Sequence, residues 1–329
     1  MSRIVKGILL AFVFAGLIAP AVSAGEKEKV RMQLNWRISG DHAPYYIATD
    51  KGWYAEEGLD VDIMIGQGSG YSVQVIDSGG ADIAISDAPV PIKMRNDGAK
   101  VKIIGIIFDK HPNCMFFWKD SGITKPQDIV GKTVAVPATD GHKLMWPTFA
   151  KRIGVDPDSV RFINIDAAAK ASALTGRRAD VIFELYTMYP VLAKAIPEGQ
   201  LGHILWADYG FDPYAHSLIT SDDIIKARPE MLRKFLRATY RAWQFALDNP
   251  EDAIDILIKY QPVNRDDMLA NLKTEMEFFR TDRYKNNGIG YIDPVRMRET
   301  YQTLENPNYP FEDCYDPSFL PNPPFKYNF

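Results

Sequence analysis

"VRMQLNWRISGDHAPYYIATDKGWYAEEGLDVDIMI", residues 30–65, decides the architecture. Its two ends, Val30–Trp36 and Leu59–Ile65, alternate apolar and polar positions with the period of two that buries one face of a strand. Between them Ala43–Gly58 reads as helix and closes on a glycine suited to a helix C-terminus. A strand, a helix and a strand in succession make a crossover between parallel neighbours. The alternation continues with a helix at 71–80, a strand at 81–86, a helix at 90–99 and a strand at 101–108. Units of this kind form an α/β layer with helices on both faces of a mainly parallel sheet.

Near Phe117 the pattern restarts: "GKTVAVP" (131–137) is a strand, "HKLMWPTFAKRIG" (142–154) a helix, "SVRFINI" (159–165) a strand, "AAKASALTGRR" (168–178) a helix and "ADVIFE" (179–184) a strand. "VIDSGGADIAISD" (Val75–Asp87) and "ALTGRRADVIFEL" (Ala173–Leu185) share a helix end, a glycine, Ala-Asp and an apolar strand ending in polar residues. The same placement in two successive units implies two similar lobes. After "AHSLITSDDII" (215–225) the chain turns helical, with Leu232, Phe235, Leu236, Thr239, Trp243 and Leu247 at helical spacing. These helices are expected on the first lobe, so the chain crosses twice. The expected division is 25–116 for the first part of lobe 1, 117–216 for lobe 2, 217–306 for the rest of lobe 1 and 307–329 for a proline-rich tail lying on a surface or frayed.

Residues 1–24 carry Arg3 and Lys6, an uncharged apolar run and small residues before Ala24, the pattern of a cleaved signal peptide. Export to the periplasm is the expectation, with no nearby cysteine to take a lipid anchor. Without Arg3 and Lys6 the 38 basic residues become 36 against 42 acidic, a balance unsuited to nucleic acid. Cys114 and Cys314 leave one disulfide open as a possibility.

Ligands of open α/β sheets sit beyond the carboxyl ends of the strands. Trp36 closes the first strand, and His42 and Tyr45 open the next helix, with rings available for stacking on a flat ligand. "GQGSGYS" offers the backbone N–H groups of Gly68, Ser69 and Gly70 at a helix start, or is simply a flexible turn. Ser86 and Asp87 end the mirrored strand of lobe 1. In lobe 2, Glu184, Tyr186 and Tyr189 would face them, Glu184 awaiting a donor unless it pairs with Arg177 or Arg178. Asp140, with Thr139, is placed to cap the helix that follows, and with Asn113 completes the candidate set. Trp53 and Tyr54 read as packing residues. No phosphate loop, GxSxG, HExxH or CxxC motif is present, and the five histidines share no i, i+4 spacing, so neither catalysis nor a metal or cofactor is expected.

The phrases "LNW…HAPYYIATDKGWYAEEGLDV", "GADIAISD", "GITKPQDIVGKTVAV", "ADVIFE" and "GYIDPVRM" resemble type II periplasmic binding proteins, in the group with thiamine-pyrimidine-precursor binders and, more distantly, sulfonate, taurine and nitrate binders. The resemblance implies a two-lobed receptor of an ABC importer, with a small-molecule ligand, an inner-membrane permease as partner and a monomeric state. In the pyrimidine-binding branch it implies a ring held between aromatics, with a carboxylate on its exocyclic amine; Trp36, Tyr45, Tyr186 and Glu184 are the counterparts. A sulfonate, nitrate or aromatic carboxylate is the alternative cargo. The same fold resembles fungal pyrimidine synthases, but Ser86 and Val90 stand where those enzymes carry a lysine for pyridoxal phosphate and a histidine, which disfavours that chemistry.

Overall fold

The computed structural model describes residues 26–326; the expected signal peptide lies outside them. Among the described residues ten strands form two five-stranded sheets. The first runs in the order β2 (Leu59–Met64), β1 (Glu28–Gln33), β3 (Ile83–Asp87), β10 (His216–Ser221) and β4 (Val101–Ile106). The second runs β7 (Arg161–Ile163), β6 (Thr133–Ala135), β8 (Val181–Leu185), β5 (Asn113–Trp118) and β9 (Leu201–Leu205). Each is parallel except for one strand, β10 or β5, that runs against both its neighbours. In each sheet that strand is the one arriving from the other lobe. The two orders are thus one permutation, used twice.

The mirrored Ala-Asp phrases explain themselves here. Arg31 N donates to Asp82 Oδ2 at 2.8 Å while Asp82 N donates to Arg31 O at 2.9 Å. In the second sheet Thr133 N donates to Asp180 Oδ2 at 2.8 Å and Asp180 N to Thr133 O at 3.0 Å. Each aspartate ties the central strand to its parallel neighbour just where the strand begins. The repeat is therefore a device of sheet assembly, and its consequence is that β3 and β8 end at equivalent edges.

Two boundaries differ from the sequence reading. The second sheet begins at Asn113, not near Phe117, because "NCMFFW" is a strand buried almost throughout, with no polar alternation to reveal it. The helical stretch of the opening unit is two helices, Ala43–Asp50 and Trp53–Glu56, divided at Gly52, whose φ of 71° is left-handed. Tyr54 stacks on Phe235 of the long helix Pro229–Asp248 (centroids 5.2 Å) and its hydroxyl meets Thr239 Oγ1 at 2.9 Å, while Trp53 sets its edge against Phe245. These rings join helix to helix rather than helix to sheet. The apolar stripe of the long helix is buried at every position named from its spacing, each large side chain contributing about 2 kcal/mol.

The described part of the tail, to Lys326, packs on the first lobe. Ile103 N donates to Cys314 O and Asp316 N to Ile103 O, so the tail pairs with the otherwise open edge of β4. Cys314 there and Cys114 on β5 belong to different lobes, and both are free and buried.

Candidate functional site

The carboxyl ends of the parallel strands of both sheets meet across one cavity of about 40 Å³, space for a few water molecules. The segment after β1 brings Asn35, Trp36 and Asp41, the turn after β2 brings Gly68 and Ser69, and β3 ends in Asp87. From the second lobe come Asp140 and His142 after β6, Lys170 after β7, and Glu184 and Leu185 at the end of β8. Antiparallel β10 enters the same edge with His216, its first residue. The helix Arg265–Glu275 adds Asn271 and Glu275.

The lobes touch around this cavity. Gly70 N donates to Thr139 O at 3.0 Å and Thr139 Oγ1 donates to Gln67 O at 2.9 Å. Asn271 accepts from Gly40 N at 2.7 Å and donates to Thr187 O at 3.0 Å, pinning lobe 1 to lobe 2. Gly68, at φ 127°, lies so close that a Cβ would sit 2.5 Å from Thr139 O. Only glycine permits both that conformation and that approach.

In the second lobe, Lys170 is buried between two carboxylates, with Nζ 2.6 Å from Asp140 Oδ2 and 3.3 Å from Glu184 Oε2. The same ammonium lies 4.7 Å from the centroid of Trp36, across the gap between lobes. Burial works against a charged lysine, but Asp140 and Glu184 outweigh it and raise its pKa. Asp140 also caps the helix Gly141–Arg152, accepting from His142 N at 2.8 Å and from His142 Nδ1 at 2.7 Å. Burial would raise its pKa; Lys170 and His142 instead hold it below the usual carboxylate range.

In the first lobe a chain of hydrogen bonds leads to His216. Ser39 N donates to His42 Nδ1 (3.1 Å), so His42 Nε2 donates to Asn35 Oδ1 (3.1 Å), and Asn35 Nδ2 donates to His216 Nε2 (2.9 Å). His216 Nδ1 then faces Asp41 Oδ2 at 3.2 Å, and Asp41 also accepts from Ser39 Oγ. Burial opposes a charged His216, yet Asp41 and Asp87 raise its pKa. A second proton at Nε2 would face Asp87 Oδ1, 3.4 Å away, and would end the donation from Asn35. Burial would raise Asp41, but His42 and His216 hold it low.

Two further carboxyl groups are less well satisfied. Asp87 is buried, its Oδ1 has no hydrogen-bond partner, and burial raises its pKa despite His216 and His142. Glu275 is buried without any hydrogen bond from its side chain, and burial together with the nearby Asp41 pushes it well up. A buried carboxyl in this condition costs free energy that a donor would recover.

Of the residues chosen from sequence, Trp36, Gly68, Ser69, Asp87, Asp140 and Glu184 line the cavity. His42 stands behind them in the histidine chain, and Gly70 makes the cross-lobe bond. Ser86 donates to Ser69 O behind the wall. Asn113 opens β5 at the same edge as His216 opens β10, buried, its amide unpartnered and outside the lining. Tyr45 does not face the cleft: the helix Ala43–Asp50 turns it into the core, its hydroxyl toward Trp243. Tyr186 and Tyr189 also lie off the cavity, stacked on each other (5.6 Å) and around exposed His203, because the turn at Tyr186–Met188 presents Thr187 and Met188 instead. Glu184 pairs with neither nearby arginine; Arg177 bonds Asp120 and Arg178 bonds Ser172. Lys170, Asp41, His216, Asn271 and Glu275 were not found from sequence. Lys170 carried a faint signal, a lone cation among alanines in "AAAKASA".

Residues 39–253 match the family described as NMT1/THI5 like. The chain belongs to that family. Among curated relatives it is 26% identical to the formylaminopyrimidine-binding protein of Halalkalibacterium halodurans, over 92% of this chain and 87% of that one. It is 24% identical to the 4-amino-5-hydroxymethyl-2-methylpyrimidine phosphate synthase of Legionella pneumophila, over 91% and 95%. Among solved structures, the alkanesulfonate-binding protein SsuA of Xanthomonas axonopodis pv. citri bound to MOPS superposes with a TM-score of 0.66 at 10% identity, over 84% of this chain and 90% of that one. That likeness speaks for the fold alone, the two-lobed one seen in periplasmic binding proteins.

Proposed function

We propose that the protein is the solute receptor of an ABC importer, binding a small, planar, nitrogen-containing molecule between its lobes and passing it to an inner-membrane permease. The observation that carries this reading is the cavity itself: side chains from both sheets line one space, so a solute held there touches both lobes. Ligand contacts with both lobes then favour the closed form by their differential affinity for it. Trp36 lines the cavity with its indole and Asp87 with a carboxyl acceptor. The relative named for binding formylaminopyrimidine supports such a cargo. Export through residues 1–24, release into the periplasm and a monomeric state complete the proposal; among the described residues no helix is long and apolar enough to cross a membrane.

The synthase reading is favoured by the Legionella relative but not by these side chains. Ser86 has no amine, Val90 is core, and the cavity's one lysine, Lys170, is kept protonated by two carboxylates, without the lone pair a Schiff base needs. We read the protein as a receptor and not an enzyme. Native mass spectrometry of the exported protein is the direct test, with isothermal titration against 4-aminopyrimidines. Retained small molecule and heat of binding are expected. An empty protein that binds none of them, or an absorbance band from bound pyridoxal phosphate, refutes the reading.

A further inference from the structure

Five carboxyl groups line the cavity, Asp41, Asp87, Asp140, Glu184 and Glu275, against one lysine and two histidines. Their arrangement divides them. Asp140 and Glu184 are engaged with Lys170, and Asp41 with His216 and Ser39, while Asp87 Oδ1 faces His216 Nε2 at 3.4 Å, a nitrogen that accepts from Asn35 and offers Asp87 no proton. Asp87 Oδ1 and Glu275 Oε2 have no hydrogen-bond partner among the described residues, on groups 4% and 1% exposed. Lys170 in turn is held between two carboxylates and beside the face of Trp36. An anion entering this cavity would meet a surplus of carboxyl groups and a cation already committed. A ligand rich in N–H donors would meet two waiting acceptors.

We propose that the cargo binds as a cation with an amidine-like edge, its N–H groups received by Asp87 and Glu275, and that Lys170 serves as the internal counter-ion that removes Glu184 from that role. This rests on the receptor reading above and sharpens it. It also excludes sulfonate, nitrate and aromatic carboxylate as cargo. Glu184, the obvious acceptor when the sequence is read alone, becomes part of the wall.

The test is a matched pair of planar probes, benzamidine and its anionic isostere benzoate, titrated at equal concentration into the wild-type chain, Asp87→Asn and Glu275→Gln, followed by thermal shift and calorimetry. Benzamidine should raise the melting temperature of the wild type and benzoate should not. Each variant should bind benzamidine about tenfold or more weakly, the loss expected for a hydrogen bond between charged groups. Circular dichroism melts establish that each variant folds, and if one does not, the other decides. Benzoate binding, failure of benzamidine to bind, or equal benzamidine affinity in all three proteins overturns the assignment. A small molecule retained by the exported protein in native mass spectrometry keeps the receptor reading standing in every one of those cases.

Discussion

Replacing Lys170 by Met tests whether the buried ion triad is as tight as its geometry implies. The substitution keeps the length of the side chain and removes two charge-assisted hydrogen bonds, at 2.6 and 3.3 Å. At about 3 kcal/mol for the short bond and about 1.5 for the long one, less about 1 kcal/mol for recovered side-chain freedom, the loss is about 3–4 kcal/mol. That agrees with the cost of removing one partner from a buried pair, most of which is the charge left behind. For a chain of this size the melting temperature should fall by about 6–10 °C. The pH profile carries a second signature. A lysine whose folded pKa is raised stabilises the fold below its unfolded value of about 10.4 and loses that contribution as pH rises through the folded value. Asp140, held low, contributes above about pH 3.9 and loses it as pH falls through its folded value. The gap between wild type and variant should therefore be widest from about pH 4 to 10 and narrow on either side. Urea unfolding followed by circular dichroism measures it. Adding Asp140→Asn and Glu184→Gln should recover most of the loss, since no unpaired charge then remains. A loss below about 1 kcal/mol at neutral pH, or no recovery in the triple variant, would refute the reasoning.

Other outcomes follow from the same contacts. Glu275→Met should stabilise the protein by about 1–2 kcal/mol at pH 7, because a buried acid whose folded pKa is raised costs stability above its unfolded value of about 4.3. That gain should vanish below about pH 4, where the wild-type acid is protonated in both states; urea titrations at pH 3.5 and 7 check it. Gly68→Ala places a methyl against Thr139 O in a left-handed backbone, so it should cost the closed form about 2 kcal/mol and enlarge the radius of gyration in small-angle X-ray scattering. Burial pushes the Cys314 thiol up to about 12 and Cys114 well above its ordinary value, so both should resist a thiol reagent in the folded protein and react on unfolding. Reducing agent should leave the melting temperature unchanged.

Much of the fold is legible in the chain because the hydrophobic period of two against 3.6 is a local property, and because the Ala-Asp phrase marks the same strand in each lobe. Those signals also fix which segments end at the cleft edge, so Trp36, Ser69, Asp87, Asp140 and Glu184 can be chosen by their position after a strand. Direction around a helix or turn is not local. Tyr45 goes to the core and Tyr186 and Tyr189 to the flank because packing against Trp243 and His203 decides which face each turn presents. Lys170, His216 and Glu275 lie at separations of 46 and 59 residues along the chain, with no pattern to join them until two sheets, a returning strand and a late helix converge. The sequence by itself determined the sheets and the edge at which they meet. Only the tertiary structure decided which charges neutralise one another there and which carboxyl groups are left for a ligand, because a buried charge is settled by its three-dimensional partners and not by its neighbours in the chain.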